Sequence, residues 1–234
     1  MGIDIKTSLK TRDSAFSYRC NACNKCCYGK GIQVNPYETM RLAGLLKIST
    51  TEFRQKYLSQ QMLKHKPGSD ACIFLGEKGC TVHKDRPLVC RLYPLGRLRL
   101  DNGREIYTEI SPHPESKGEY GTSSTVEGYL QTQNVDSYLA AEELYRKVII
   151  NMANTALNDD QQSAKRRSGS RTETGFDYTD WVLDPDPLIM QYCTFKNMQV
   201  PEEPEEKLRI HIMALNAWVE DEWEPDFAME LNRI

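Results

Sequence analysis

The chain has 234 residues, enough for one well-packed core or for one domain with an appended part. A net charge of −3 and a charged fraction of 27% lack the basic excess that is typical of nucleic-acid binding. No run approaches the roughly 18 apolar residues of a membrane span, and the N-terminus has no apolar signal core. We therefore expect a cytoplasmic protein that binds neither membrane nor nucleic acid.

Residues 1–19 form a polar lead-in, and a dense cysteine run follows it directly. Four cysteines lie within eight residues as CxxCxxCC, at Cys20, Cys23, Cys26 and Cys27. Cysteines at this density indicate a metal site, a cluster or a disulfide framework. Because the cytoplasm keeps thiols reduced, metal or cluster ligation is the favoured interpretation.

Two capping signatures predict the next two helices. The first has Asn35 as the cap, Pro36 at the first helical position and Glu38 three residues after the cap. This helix should run to about Lys47. The sequence Ser-Thr-Thr-Glu that starts at Ser49 predicts a second, short helix.

A second group of cysteines follows a loop over residues 64–71. The group consists of Cys72, Cys80 and Cys90. Gly76 and Gly79 predict a tight turn between the first two of them, which lets both sulfurs face one point. Asp-Asn-Gly at 101–103 lies between two alternating runs and predicts a small antiparallel hairpin over about residues 96–110.

The C-terminal half is predicted to be helical. Apolar residues recur at helical spacing from Val135 to about Leu157, with Asn134 as the expected cap. A last helix should start within residues 201–206. The predicted fold class is α+β: a mainly α-helical single domain with a small antiparallel β-hairpin, built around cysteine-ligated metal sites. We predict a cysteine-cluster metal-binding domain over residues 1–158, a flexible polar loop over 159–174, and a C-terminal helical part over 175–234 that packs on the same domain.

The ligand chemistry predicted from the cysteines is that of thiolate centres. Two cysteines in CxxC can both reach one ion, and CxxCxxC also opens a bacterial ferredoxin run. Since neighbouring side chains are expected to point apart, adjacent Cys26 and Cys27 favour two centres, or one cluster plus one mononuclear site. The predicted metal ligands are Cys20, Cys23, Cys26, Cys27, Cys72, Cys80, Cys90 and Cys193.

Some of these residues have alternative interpretations. Cys193 is isolated in the sequence and could be a small core residue instead. His83 lies between two cysteines and could also ligate. Arg86 and Arg91 bracket Cys90 and are predicted to offset the negative charge of a thiolate centre, unless they are ordinary surface arginines.

The combined cysteine pattern resembles the YkgJ-type cysteine-cluster family, a zinc- or iron-chelating domain, over roughly residues 18–110. The matching positions are Cys20, Cys23, Cys26, Cys27, Cys72, Cys80, Arg86, Pro87, Cys90, Arg91, Tyr93 and Pro94. The resemblance implies metal binding. Through a relative, the flagellin lysine N-methylase, it also implies methyl transfer from S-adenosylmethionine to protein lysines with an iron–sulfur cluster, although no motif for that donor is visible.

Three functions therefore remain open, and the sequence identifies no catalytic residue. The favoured one is a metal-binding protein with an iron–sulfur cluster (4Fe–4S in preference to zinc), acting as a carrier or accessory factor. The second is an S-adenosylmethionine-dependent enzyme acting on a protein substrate. The third is a structural zinc module that presents a surface to a protein partner.

Overall fold

The structure is a computed structural model, and it describes residues 9–100, 102–159 and 178–226. Helices and small two-stranded antiparallel sheets build it, with more helix than strand. The predicted α+β, mainly helical class is therefore confirmed in its secondary structure. The metal sites that were expected at its centre stay a prediction.

The described residues contain eight strands, eight α-helices and two short 3₁₀ turns. The strands are β1 (Ala15–Arg19), β2 (Leu58–Ser59), β3 (Met62–Leu63), β4 (Leu75–Gly76), β5 (Gly79–Cys80), β6 (Leu95–Arg99), β7 (Glu105–Glu109) and β8 (Glu119–Thr125). The helices are α1 (Pro36–Leu46), α2 (Thr50–Tyr57), α3 (Leu88–Leu92), α4 (Val126–Thr132), α5 (Asp136–Asp159), α6 (Tyr178–Leu183), α7 (Pro185–Phe195) and α8 (Pro204–Val219). The 3₁₀ turns are Lys25–Cys27 and His83–Asp85.

Contacts within the chain define two compact units. Of the described residues, the cysteine unit comprises those up to 33 together with those in 62–137. The helical unit comprises residues 34–61 and the described residues from 138 onward. The domain boundaries predicted from the sequence stay a prediction, because the proposed flexible loop lies, apart from Asp159 at the end of α5, outside the described residues.

The cysteine unit begins with a strand where the sequence predicted a polar lead-in. β1 pairs antiparallel with β8, with Ala15 opposite Thr125 and Arg19 opposite Glu119. Phe16 anchors the strand, since only 1% of it is exposed. The lead-in prediction is thus wrong for residues 15–19. Five residues with two apolar side chains are too short a signal, and the partner strand lies a hundred residues away.

The hairpin predicted for residues 96–110 is confirmed. β6 pairs antiparallel with β7, from Leu95 opposite Glu109 to Arg99 opposite Glu105. Gly103 has a φ of 82°, which is the left-handed conformation that this turn requires. The sequence signal sufficed here because the two strands are neighbours in the chain.

The tight turn between Cys72 and Cys80 is also confirmed. β4 and β5 form a two-residue antiparallel ladder that pairs Leu75 with Cys80 and Gly76 with Gly79. Gly79 has a φ of 111°, so a side chain at this position would be strained.

The helical unit opens with the predicted capped helices. The Asn35 side chain accepts a hydrogen bond from the Glu38 amide at 2.9 Å, and the Glu38 carboxylate accepts one from the Asn35 amide at 2.8 Å. This reciprocal box closes the N-terminus of α1. The Ser49 hydroxyl caps α2 in the same way, by accepting from the Glu52 amide at 3.1 Å.

The two long C-terminal helices are confirmed with one correction. α5 begins at Asp136, so Val135 precedes it, and Asn134 is not its cap. Asn134 instead takes a left-handed conformation with a φ of 51°, which turns the chain before the helix. No helix in the described ranges is long and apolar enough to cross a membrane.

Candidate metal centre

The structure divides the eight cysteines between the two units, and all eight are free thiols. Seven lie in the cysteine unit and belong to the two groups that the sequence identified. Cys193 lies in α7 of the helical unit.

The backbone of the CxxCxxCC run is irregular. Ala22 and Asn24 both have left-handed backbones, with φ angles of 50° and 61°. Each lies between two cysteines of the run, and the 3₁₀ turn Lys25–Cys27 follows. Non-glycine residues rarely take this conformation, so the backbone bends sharply between the cysteines at these two positions.

Backbone hydrogen bonds join the run to the second cysteine group. The Cys72 amide donates to the Cys27 carbonyl at 2.8 Å, and the Gly29 amide donates to the Asp70 carbonyl at 3.0 Å. The β4–β5 turn also approaches the run, since a Cβ placed on Gly79 would lie 3.2 Å from the Asn24 side-chain oxygen. Residues about 50 positions apart in the sequence are thereby held side by side.

The adjacent cysteines Cys26 and Cys27 do not point apart. Their Sγ atoms lie 4.0 Å from each other. Two thiolates on one tetrahedral zinc ion, with Zn–S bonds of 2.3 Å, lie about 3.8 Å apart. The sequence premise is therefore wrong, because it took the alternation of an extended chain for a segment that forms a 3₁₀ turn.

A hydrogen bond joins these two thiols. This bond lowers the pKa of Cys26 and raises the pKa of Cys27. The thiolate form is therefore favoured at Cys26 over Cys27.

Cys72 and Cys80 complete a group of four mutual neighbours. Burial raises the pKa of both thiols, and the nearby charge of Cys26 raises each of them further. The charge of Cys72 also raises the pKa of Cys80, and the charges of Cys72 and Cys80 both raise the pKa of Cys27. Each of the six pairs among these four thiols is therefore close enough for charge interaction. We call Cys26, Cys27, Cys72 and Cys80 the inner thiols.

The inner thiols are neighbours, but their sulfurs do not converge on one point. In the described residues, no three side chains of His, Cys, Asp or Glu are close enough to hold one ion as they stand. Metal binding therefore has to turn these thiols inward from half-buried positions. The donor set itself fits thiophilic ions such as Zn²⁺ and iron.

The other three cysteines of the unit are Cys20, Cys23 and Cys90. Cys20 is exposed. The Cys23 sulfur accepts a hydrogen bond from the Lys117 amide at 3.4 Å, which lowers the pKa of Cys23. Cys23 also borders the inner thiols, since the charge of Cys26 acts on it.

Arg86 lies close to several of the sulfurs, and the charge-offsetting role predicted for it from the sequence stays a prediction. Its positive charge lowers the pKa of Cys26 and of Cys80, and the charge of Cys90 acts on the guanidinium in return. The group is half-buried, and burial lowers the pKa of Arg86. His83 faces this guanidinium, with 3.3 Å between Nδ1 and the Arg86 nitrogen.

Arg91 makes contacts of a different kind. Its guanidinium donates to the backbone carbonyls of Lys84, Arg86 and Gln133, at 2.5, 3.0 and 3.0 Å. Only 5% of Arg91 is exposed. These bonds fasten the segment before Cys90 to the end of α4, and the charge-offsetting role predicted for Arg91 stays a prediction.

A group of tyrosines next to Cys20 and Cys23 escaped the sequence analysis. The Tyr18 ring meets those of Tyr93, Tyr120 and Tyr129 edge-on, at centroid distances of 6.2, 5.1 and 6.5 Å. The charges of Cys20 and Cys23 help to raise the pKa of Tyr18, after burial. Tyr18 and Tyr120 come from β1 and β8, so only a prediction of that pairing would have found the group.

Cys193 has the environment of a core residue. It is completely buried in α7, beside Tyr192. Burial raises the pKa of its thiol, which disfavours the thiolate that a metal requires. Its ligand role stays a prediction.

Seven free thiols in one unit, four of them mutual neighbours, are typical of cysteine-rich, metal-binding domains. Residues 19–113 match the family model described as "CxxCxxCC: Putative zinc- or iron-chelating domain". The match confirms the resemblance to the YkgJ-type family over this segment, which contains all seven of these cysteines.

One curated relative is a protein of Methanocaldococcus jannaschii named "Uncharacterized protein MJ0661". It is 31% identical over 100 residues, which cover 41% of this chain and 53% of the relative. The match therefore spans about half the length of that relative. No solved structure matches the chain.

Proposed function

We propose that the cysteine unit is a metal-binding module that holds one thiophilic centre through Cys26, Cys27, Cys72 and Cys80. The observation that carries this proposal is the mutual proximity of all four inner thiols, two from each cysteine group. The half-buried position of the four supports it, because a thiolate centre is protected from solvent on at least one side. The family match supports metal binding in the same segment.

The best-supported occupant is a single tetrahedral ion, Zn²⁺ or iron. The 4.0 Å between the Cys26 and Cys27 sulfurs is close to the spacing of two ligands on one ion. Arg86 would offset part of the negative charge of four thiolates around a divalent ion. Such a centre would cross-link two chain segments, so metal binding would stabilise the cysteine unit.

An iron–sulfur cluster, which the sequence analysis favoured over zinc, is the second candidate. Cys20, Cys23 and Cys90 provide thiols beyond the inner four. The amide of Lys117 donates to one of these sulfurs, and hydrogen bonds of this kind tune the potential of iron–sulfur clusters. In a cluster, each thiolate would bind a different iron atom. A cluster would then use cysteines at CxxC spacing in preference to both of the adjacent residues Cys26 and Cys27.

Metal and acid-labile sulfide analysis of the anaerobically purified full chain tests the proposal. We expect one equivalent of zinc or iron without sulfide for the single ion, whereas stoichiometric sulfide with a brown colour would indicate the cluster. Cys27→Ser should abolish a single-ion centre, and Cys193→Ala is the matched control that should retain it. A protein without metal under zinc- and iron-replete conditions would contradict the proposed function.

A further inference from the structure

A surface segment lies across the cysteine run. Almost all of this segment comes after residue 113 in the sequence, where the match to the family model ends. Residues 113–119, which we call the strap, connect the β6–β7 hairpin to β8. The Lys117 amide of the strap donates to the Cys23 sulfur at 3.4 Å, and its carbonyl accepts from the Asn21 side chain at 2.7 Å. The strap therefore contacts the first CxxC of the run through the backbone of Lys117.

One ion pair fastens the strap to the run, and a second joins the last residue of the strap to β1. Lys25 of the run pairs with Glu115, and Arg19 of β1 pairs with Glu119 at 2.5 Å. Glu115 is 67% exposed and Lys25 is 33% exposed, so salt screens this pair. Contacts of this strength can hold a segment closed and still let it open often.

The middle of the strap lies against an aromatic ring. A Cβ placed on Gly118 would overlap the Tyr18 hydroxyl. Tyr18 is held in place by its edge-on contacts with Tyr93, Tyr120 and Tyr129, so it has little room to retreat. Closure of the strap therefore requires glycine at position 118.

We propose that the strap is a gate for metal exchange, which limits the approach of a competing metal acceptor, such as a thiol or a chelator, to the centre. This inference rests on the proposed function. Cys23 borders Cys26 and accepts a hydrogen bond from the strap, whereas Cys20 beside it is exposed. A competing ligand that approaches past Cys23 meets the strap, and opening of the strap uncovers the nearest sulfurs.

The test uses the reduced full-length chain and the variant Gly118→Ala, with Gly44→Ala as the matched control. A Cβ on Gly44 has no atom within 4 Å, so the control makes the same chemical change without a contact. Two quantities are measured for each protein. Hydrogen–deuterium exchange of residues 113–119 in the metal-free state reports opening of the strap, and transfer of zinc to 4-(2-pyridylazo)resorcinol reports metal exchange.

We expect Gly118→Ala to exchange amide hydrogens faster in the strap and to transfer zinc on the order of tenfold faster, the size of a typical overpacking penalty. Glu115→Gln should accelerate transfer by roughly two- to fivefold, and added salt should reduce the difference from the wild-type chain. Gly44→Ala should match the wild-type chain in both measurements.

Two results would overturn the inference in distinguishable ways. Faster hydrogen exchange in the strap of Gly118→Ala with an unchanged zinc transfer rate would show that the strap opens but does not gate the metal, and the proposed function would stand. Failure of the wild-type chain to bind zinc or iron at all would remove the proposed function and this inference with it.

Discussion

Mild acid should destabilise the helical unit through one buried histidine. His211 is completely buried in α8. Its Nδ1 lies 2.8 Å from the Tyr145 hydroxyl, and its Nε2 lies 3.2 Å from the Trp181 carbonyl. The neutral ring satisfies both partners, because Nε2–H donates to the carbonyl and Nδ1 accepts from the hydroxyl.

Burial lowers the pKa of His211 from its usual 6.5 to about 4, although the nearby Asp186 opposes this shift. The unfolded chain therefore binds a proton at a pH where the native ring does not. Stability is fully present above pH 6.5 and falls as the pH drops toward the native value. A shift of this size corresponds to about 3 kcal/mol in full and to about 2 kcal/mol between pH 7 and pH 5.

Urea unfolding, monitored by tryptophan fluorescence, measures this loss of stability in the helical unit. All three tryptophans, Trp181, Trp218 and Trp223, lie in the helical unit. The variant His211→Gln serves as the control, since it removes the titration and keeps a polar side chain. If the wild-type chain lost no more stability than His211→Gln between pH 7 and pH 5, the reasoning would be refuted.

Three further substitutions test the site and the fold. Cys80→Ser should weaken zinc binding by at least tenfold in a chelator competition, because it removes one of four inner thiols, and an unchanged affinity would exclude Cys80 as a ligand. Asn35→Ala should lower the free energy of unfolding of the helical unit by about 1 kcal/mol by removing the cap of α1. Thr50→Val should lower it by about 2 kcal/mol, since the hydroxyl donates to buried Asp184 at 2.5 Å and accepts from the Asp186 amide at 3.0 Å. Urea unfolding monitored by tryptophan fluorescence checks both Asn35→Ala and Thr50→Val. A loss of unfolding free energy below about 0.3 kcal/mol would contradict the role of the contact concerned.

Structural features that depend only on neighbouring residues in the chain could be predicted from the sequence. The capping box at Asn35, the cap at Ser49 and the turn before Glu105 each depend on neighbours in the chain. Their backbone hydrogen bonds close locally, so residue type alone nearly determines them. The failed cap at Asn134 shows the usual uncertainty of a helix boundary.

Features that depend on distant pairing could not be predicted. β1 and β8 meet across a hundred residues, and neither strand has a strong apolar alternation. The tyrosine group and the strap depend on that pairing, and both escaped the sequence analysis. The cysteine groups themselves were found by their spacing, but the proximity of Cys26 and Cys27 depends on a 3₁₀ turn that spacing does not specify.

X-ray absorption at the metal edge of the metal-loaded full chain is the most direct test of the central claim. The account predicts four sulfur ligands at about 2.3 Å around one ion, without scattering from a second metal. It also predicts that this sulfur shell is lost in Cys27→Ser and retained in Cys193→Ala. Fewer than three sulfur ligands, or a sulfur shell that Cys27→Ser leaves intact, would contradict the assignment of the centre to the inner thiols.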